Sequence, residues 1–538
     1  MKSLNLKVLG LAGGLLLGAT SCQKDILNQP NPNLATTASF WQNSGDATKG
    51  VLAAYSGLQQ LGTYRRWLNF AFDIRDDEGF SQSPWNELRD FNRFIIGNYD
   101  FEVNFNIYRD HYRGLARCNQ VIDNVPNIAS MSATPQDATL QKQIVAEAKF
   151  IRALLYYNLV SLYGRVPLVV NQITTLSVIP PQAADEAQVW NQVYSDLQAA
   201  IPDLPLTYSG NDLGRATKGA AQTLLGKAYM QNRRWADASA QFATVIGSGQ
   251  YQLTSTYTDN FRHTTENNSE SIFEVQFTDT KRAGNDGDDA TSSEGGQRSQ
   301  FFGVPGFGFN DGEVRPWVVN EFLKETTPTG QRDPRLAATV FYNRLDQKQF
   351  PTAVPADADT LAYGAGFLGR YHSNSGDPQG VEALRLRSRV YWRKYQTDYY
   401  RQLEDFDSPI NHRVMRYADV LLLQAEALNE QGQTSAAIPL INQVRQRAST
   451  GLAPLGTSAF TQASLRTQLM HERVTELTGE GTRWFDLRRW GYFDTQDGIN
   501  TLAARDADFK SFVLNKSRLL PLPQTDVDLA KLTQNPGY

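Results

Sequence analysis

Between Ile144 and Leu162 apolar residues return every three or four positions: Ile144, Ala148, Ile151, Leu155, Leu159 and Leu162. That spacing puts them on one face of a helix and predicts a long amphipathic one. Gly164 and Pro167 then end it, the first by releasing the backbone and the second by refusing the next helical hydrogen bond. A helix with such a stripe must be covered by others, and the chain supplies them.

In the stretch 219–246, Gly226 and Tyr229 stand three apart and are followed by Ala238 and Phe242. These are the small-residue, aromatic and Ala-x₃-Phe positions of a tetratricopeptide helical hairpin, in which small residues let two helices cross closely and rings fill the groove. The plan recurs with Val414, Tyr417, Leu421, Ala425 and Leu428 on a first helix. A turn follows at Asn429 to Gly432, and Ala437, Ile441 and Val444 lie on a second helix. The copies are few and degenerate. The predicted fold is mainly α, a scaffold of tetratricopeptide-like hairpins rather than a regular solenoid.

Residues 251–410 break this order. A Gly/Asp/Ser-rich stretch (Ala283 to Gly296) and a Gly/Phe-rich one (Phe301 to Gly312) separate short apolar segments, and Ile272 to Phe277 alternates like a strand. This predicts a large irregular, loop-rich insertion with short strands, where binding sites are commonly built on a rigid frame. The organisation expected is a helical region over 40–250, the insertion over 251–410, and a second helical region with a docked tail over 411–538.

The first 39 residues are of another kind. Lys2 and Lys7 precede an apolar run from Val8 to Gly18, too short to span a bilayer, and Ala19-Thr20-Ser21 leads directly to Cys22. This is the grammar of a signal peptide over 1–21. A cysteine after the small triplet resembles a bacterial lipobox, although Ala19 stands where such boxes usually carry Leu. On that reading Cys22 is lipidated, and two or three acyl chains at about 0.8 kcal/mol per buried CH₂ give a stable anchor. Residues 22–39, polar and with Pro30 and Pro32, read as a tether with a reach of roughly 60 Å. The other cysteine, Cys118, sits in a helical stretch and is expected to be a buried, inert thiol.

Charge and chemistry exclude several functions. A formal net charge of −4 with no long basic run gives no footprint for nucleic acid. The five histidines have no metal-ligand spacing, and His471-Glu472 fails as a zinc-protease motif because Thr475 occupies the place of the second His. There is no Gly-x-Ser-x-Gly elbow and no phosphate loop, so neither an enzyme, a cofactor nor a metal site is expected. Asp286, Asp288 and Asp289 lack the full calcium-loop pattern and read as a solvated loop. Aromatic residues make up 11% of the chain, enough for a large core and for ligand-stacking surfaces; composition does not separate the two.

Longer motifs carry a family resemblance. Glu147-Ala148-Lys149-Phe150-Ile151-Arg152-Ala153-Leu154 with Leu162-Tyr163-Gly164, Arg416-Tyr417-Ala418-Asp419-Val420-Leu421-Leu422, and Gly479-Glu480-Gly481 with Arg483-Trp484-Phe485-Asp486-Leu487-Arg488-Arg489-Trp490 occur in order. Leu520-Pro521-Leu522-Pro523 and the terminal Asn535-Pro536-Gly537-Tyr538 complete the set. Together they resemble the SusD/RagB family of Bacteroidetes surface lipoproteins. These motifs read structurally: Gly479 and Gly481 bracket a helix break, Trp484, Phe485 and Leu487 pack, and Arg483, Asp486 and Arg488 enter ion pairs.

The resemblance implies a lipid-anchored, outward-facing protein of the cell outer membrane. It implies capture of oligosaccharide for a SusC-like TonB-dependent transporter, with no chemistry and no cofactor. It leaves open a RagB-like peptide cargo, or a tetratricopeptide-like scaffold that binds only protein. It also places two candidate ligand regions, Asp76-Asp77-Glu78 through Pro84-Trp85-Asn86, and the surroundings of Phe301, Phe302 and Trp317. The candidate ligand residues are Asp77, Trp85, Asn86, Phe301, Phe302 and Trp317.

Overall fold

The computed structural model describes residues 40–175, 180–279, 294–342, 361–362, 365–366 and 389–538. Cys22, the tether and the Asp286–Asp289 loop lie outside them.

The chain begins with α1 (Ser44–Ser56), α2 (Trp67–Asp73), α3 (Asn86–Asn92), α4 (Glu102–Asn124) and α5 (Pro135–Tyr163). Then come α6 (Glu186–Ala200), α7 (Lys218–Gln231) and α8 (Trp235–Gly247). Among the described residues, the insertion holds the short α-helices α9 (Arg298–Phe302), α10 (Pro316–Phe322) and α11 (Arg335–Thr339). The C-terminal part contains α12 (Tyr417–Glu430), α13 (Thr434–Arg445), α14 (Gln462–Leu477) and α15 (Arg483–Arg489), closed by α16 (Gln496–Ala503) and α17 (Gln524–Ala530). The architecture is mainly α, as the periodicity predicts.

Helix α5 starts where Pro135 occupies its first turn and the Thr134 side chain accepts a hydrogen bond from the amide of Asp137. It ends at Gly164, whose φ of +66° few other residues adopt cheaply. The structure corrects one detail of the sequence reading. From Phe150 to Tyr163 the helix is buried all round rather than on one face, because α4, α6 and α7 surround it.

The hairpins form as the small-residue pattern requires. A Cβ on Gly226 of α7 would lie 2.5 Å from the Phe242 ring of α8, so only glycine lets these helices cross here. In the second hairpin, α12 and α13 are joined through Gly432 at φ +76°.

The insertion is tied to the helices by two small sheets. Strands β1 (Gly79–Phe80), β3 (Glu313–Val314), β7 (Val390–Trp392) and β4 (Val340–Tyr342) line up antiparallel in the order β1-β3-β7-β4. Strand β2 (Ser271–Val275) pairs antiparallel with β8 (His412–Arg416). A further short pair joins β5 (Leu361–Ala362) to β6 (Ala365–Gly366). β2 falls in the segment expected to alternate, yet Ile272 to Val275 are all buried, since Glu274 turns inward to Arg413, 3.3 Å away.

Among the described residues, one hydrophobic cluster runs from Ala54 through the insertion (Phe273, Phe302, Trp392) to Leu522. Cys118 belongs to it, and burial pushes its thiol pKa up to about 12, which leaves it inert.

Charged residues cross-link this core. Glu476 of α14 accepts from Arg416 (2.7 Å), Arg447 (2.6 Å) and Arg335 (2.9 Å); all four are buried. Arg335 and Lys394 bring the insertion to this network, Lys394 through Glu480 at 2.8 Å. Arg473 and Arg489 clasp Asp486, and Arg488 pairs with Glu186 at 2.9 Å. The Arg and Asp residues of the C-terminal block thus hold the fold together. Gly479 and Gly481, at φ +77° and +70°, make the break between α14 and α15. The tail docks as its composition suggests: Asn535 donates to the carbonyls of Tyr163 and Leu520, and the Tyr538 hydroxyl to that of Leu519. No helix among the described residues is long and apolar enough to cross a membrane.

Candidate functional site

The β1–β3 pairing brings the two sequence-predicted ligand regions together. Arg315 donates its amide to the Glu78 carbonyl at 2.7 Å, and the Trp317 indole N–H is hydrogen-bonded to the carbonyl of Asp77. Their union builds an aromatic floor. Trp67 of α2 is buried and lies 5.5 Å from the ring of Trp85 and 5.7 Å from that of Phe301. The Arg66 guanidinium sits 4.3 Å from the Phe301 ring centre and 4.7 Å from that of Trp67, while its Nε donates to Gln297.

Above this floor the insertion displays rings to solvent. Phe309 is 51% exposed and meets Phe301 edge-on at 5.4 Å; the partly buried Phe406 lies 5.6 Å from Phe309 and 6.0 Å from Phe301. The loop that carries Phe406 also carries Tyr399 and Tyr400. Tyr400, 41% exposed, packs 4.4 Å from His263 and 5.0 Å from Tyr399, and Tyr399 stacks on the same imidazole with its hydroxyl 2.6 Å from Nδ1. Desolvation lowers the His263 pKa, and burial pushes that of Tyr399 up to about 12. Both groups are neutral near pH 7 and serve as hydrogen-bonding surfaces.

The loop is stapled in place. Glu404 is buried; its carboxylate accepts from the Thr397 amide and hydroxyl, and its own amide donates to the Phe307 carbonyl. Exposed rings on a fixed backbone cost little ordering entropy when a ligand stacks on them.

The six candidate residues divide. Trp85 stays half-buried beside the floor, with its backbone amide held by the Ser83 hydroxyl. Asn86 is exposed at the start of α3, where its carboxamide accepts from Arg89. Phe301 is the floor itself, only 6% exposed.

The other three are engaged within the protein, Phe302 and Asp77 fully buried and Trp317 half-buried. Phe302 is fully buried against Phe70 at 4.6 Å. Asp77 is fully buried and receives Arg483 through Nε (2.7 Å) and Nη2 (3.0 Å), with Arg505 completing the cluster. These guanidiniums hold its carboxyl below the usual range despite desolvation. Trp317 has its N–H spent on Asp77, and Arg505 and Arg483 lie over its ring at 4.5 and 5.6 Å. Its neighbours thus occupy the face that a ligand would need.

Sequence reasoning missed Phe309, Phe406, Tyr399, Tyr400 and His263. The Gly/Phe-rich stretch around Phe309 and the Tyr399-Tyr400 pair were the available signals, since neighbouring rings in a glycine-rich loop have little core to enter.

The larger clefts lie elsewhere. An apolar groove of about 500 Å³ runs beside α4, lined by Phe105, Tyr108, Tyr112, Ile173 and Leu532. A cleft of about 320 Å³ opens between Trp235 and Trp490, but its arginines and glutamates already pair with one another. The aromatic site is a platform rather than a pocket, which suits an extended ligand whose faces alternate between apolar and polar.

A one-core assembly of helical hairpins that presents rings on a stapled, loop-rich insertion defines a class of scaffold built to display a surface. The chain belongs to the SusD family, whose model matches residues 269–538. A second model, described as starch-binding associating with outer membrane, matches residues 46–230.

SusD-like protein P25 of Formosa agariphila is 27% identical over 492 residues, covering 89% of this chain and 88% of that protein. A SusD superfamily protein from Bacteroides vulgatus superposes with a TM-score of 0.76 at 23% identity, over 93% of this chain and 100% of its own. Surface glycan-binding protein A from Bacteroides thetaiotaomicron, solved in complex with laminarihexaose, gives 0.70 at 20% identity, over 92% of this chain and 100% of its own. At these identities the two solved structures speak for the fold.

Proposed function

We propose that this protein binds an oligosaccharide on the platform formed by Trp85, Phe309, Phe406 and Tyr400 and delivers it to a SusC-like TonB-dependent transporter. Lipidated Cys22 would hold it on the outer face of the outer membrane. The observation that carries the reading is the set of exposed rings fixed over a buried aromatic floor. Sugar rings lay their axial C–H bonds on aromatic faces, and hydroxyls find the His263 imidazole and the Asn86 carboxamide. Binding to laminarihexaose by a structural relative makes β-linked glucans the first ligands to try. The reading requires no catalytic group. The partner and the anchor rest on the family and on the lipobox.

Calorimetric titration with a panel of oligosaccharides, laminarihexaose among them, tests the cargo. A Phe309→Ala/Tyr400→Ala variant should bind the same sugar at least about tenfold more weakly, as loss of two stacking rings implies. Retention of a peptide with no response to any glycan would replace this reading with the peptide-uptake one. Metabolic labelling with palmitate should mark the wild type and not Cys22→Ala. Co-purification of a barrel-sized partner from native membranes tests delivery.

A further inference from the structure

Helices α10 and α14 meet at a cluster that the glycan site does not use. His471 of α14 is 9% exposed, and its Nδ1 lies 2.9 Å from Oε1 of Glu321. With Nδ1 turned to that carboxylate, Nε2 is the ring nitrogen that faces the other way. Nε2 is buried with no hydrogen-bond partner and faces Glu325, whose Oε1 is 3.8 Å away. Next to them, Oε2 of the fully buried Glu472 also has no hydrogen-bond partner.

Ligand atoms from Glu325, His471 and Glu472 all lie within 4.8 Å of one another. Arg445 does not close this space. Its Nη1 pairs with Oε2 of Glu325 at 2.8 Å and with Oε1 of Glu472, which leaves Oε2 of Glu472 without a partner and Oε1 of Glu325 with one long hydrogen bond, from Gln468 at 3.4 Å. Gln468 holds the same Glu472 Oε1 at 2.7 Å, and Lys324 neutralises Glu321. Three carboxylates, Glu321, Glu325 and Glu472, surround the imidazole, with Arg445 and Lys324 as their counter-charges. The Glu325 side chain is 26% exposed, which gives an ion a way in.

We propose that Glu325, His471 and Glu472 bind one divalent cation of the borderline class, with zinc the best fit, and that this ion pins α10 of the insertion to α14 of the helical scaffold. One imidazole nitrogen and two carboxylate oxygens, with a water completing four-coordination, suit zinc. Calcium wants six to eight oxygens, which this cluster does not offer. The Glu321–His471 contact is the outer-sphere carboxylate that metal-bound imidazoles usually have. The proposal is independent of the glycan reading.

The mature protein, first stripped with chelator, is titrated with zinc in calorimetry and with cobalt(II) in absorption spectroscopy. One equivalent should bind, with the intense visible bands of a low-coordinate cobalt site, and zinc should raise the melting temperature. His471→Gln and Glu325→Gln should each bind at least about tenfold more weakly and lose the thermal response. Glu325 is partly exposed, so its variant stays interpretable if His471→Gln folds poorly. The proposal is overturned if the wild type binds zinc no better than Glu325→Gln, if calcium binds as tightly, or if the melting temperature responds to pH and not to zinc. Glycan affinity measured on the same samples is expected to be unchanged.

Discussion

Replacing Asp77 by Asn separates a ligand-binding role from a structural one. The substitution keeps the shape and removes the charge from a group with 0% exposure that receives Arg483 at 2.7 and 3.0 Å and also pairs with Arg505. Breaking one side of a buried ion pair costs about 3–5 kcal/mol. Two features place this case at the lower end. Arg505 is 27% exposed and can turn to water. Glu78, its pKa pushed up to about 8 by burial with a contribution from the charge of Asp77, ionises more readily once that charge is gone and takes over part of Arg483.

The expected loss is about 3 kcal/mol, read from urea unfolding followed by tryptophan fluorescence. An Asp77→Leu/Arg483→Met pair, which removes both charges, should recover most of it, because apolar replacements for buried pairs are often neutral. Oligosaccharide affinity of the folded Asp77→Asn protein should stay within about twofold of wild type, as no direct contact is lost. Unfolding within about 0.5 kcal/mol of wild type, or a collapse of affinity in a fully stable protein, would refute the structural role.

Three further outcomes follow from the same geometry. Phe309→Ala, at a ring that is 51% exposed, should weaken oligosaccharide binding about fivefold to tenfold by calorimetry while unfolding shifts by less than about 0.5 kcal/mol. Gly479→Ala should cost about 3 kcal/mol or more in denaturant, since φ is +77° and the new Cβ would stand 2.5 Å from the Trp392 ring. His412 is held neutral by burial and by Arg298 and Arg413, which lower its pKa to about 3. The unfolded chain takes up that proton below about pH 6.5, so the contribution is present at neutral pH and fades as pH falls. Against His412→Phe, which keeps the stacking on Tyr395, the wild type should lose roughly 2 kcal/mol between pH 7.5 and pH 5.

The helices were legible because their signals are local. Three- and four-residue periodicity and a glycine at 164 both act within a turn or two of chain. Gly226 could be read because a small residue opposite an aromatic has one common use. Asp77 could not, since its partner stands 406 residues away and nothing near Asp77 announces Arg483. The rings pose a different difficulty. Phe302 and Phe309 sit seven positions apart in one glycine-rich stretch, yet one is fully buried and the other half exposed. Which ring points inward depends on where β1 pairs with β3, and that register joins distant parts of the chain.

The distance between Asp77 and Arg483 also bears on the order of events when the chain is made. While the ribosome is still on the insertion, Asp77 lacks Arg483, and Arg75, which stacks on Phe91 and Phe94, still waits for the carbonyl of Ser517. The carbonyl of Tyr163, at the end of α5, waits for Asn535 at the far end of the chain. Closing the first core around uncompensated charges is unfavourable, so the N-terminal helices are expected to complete their packing only once Arg483, Ser517 and Asn535 are available. A protein without Asn535 would leave the carbonyls of Tyr163 and Leu520 without their donor and the seam unsealed.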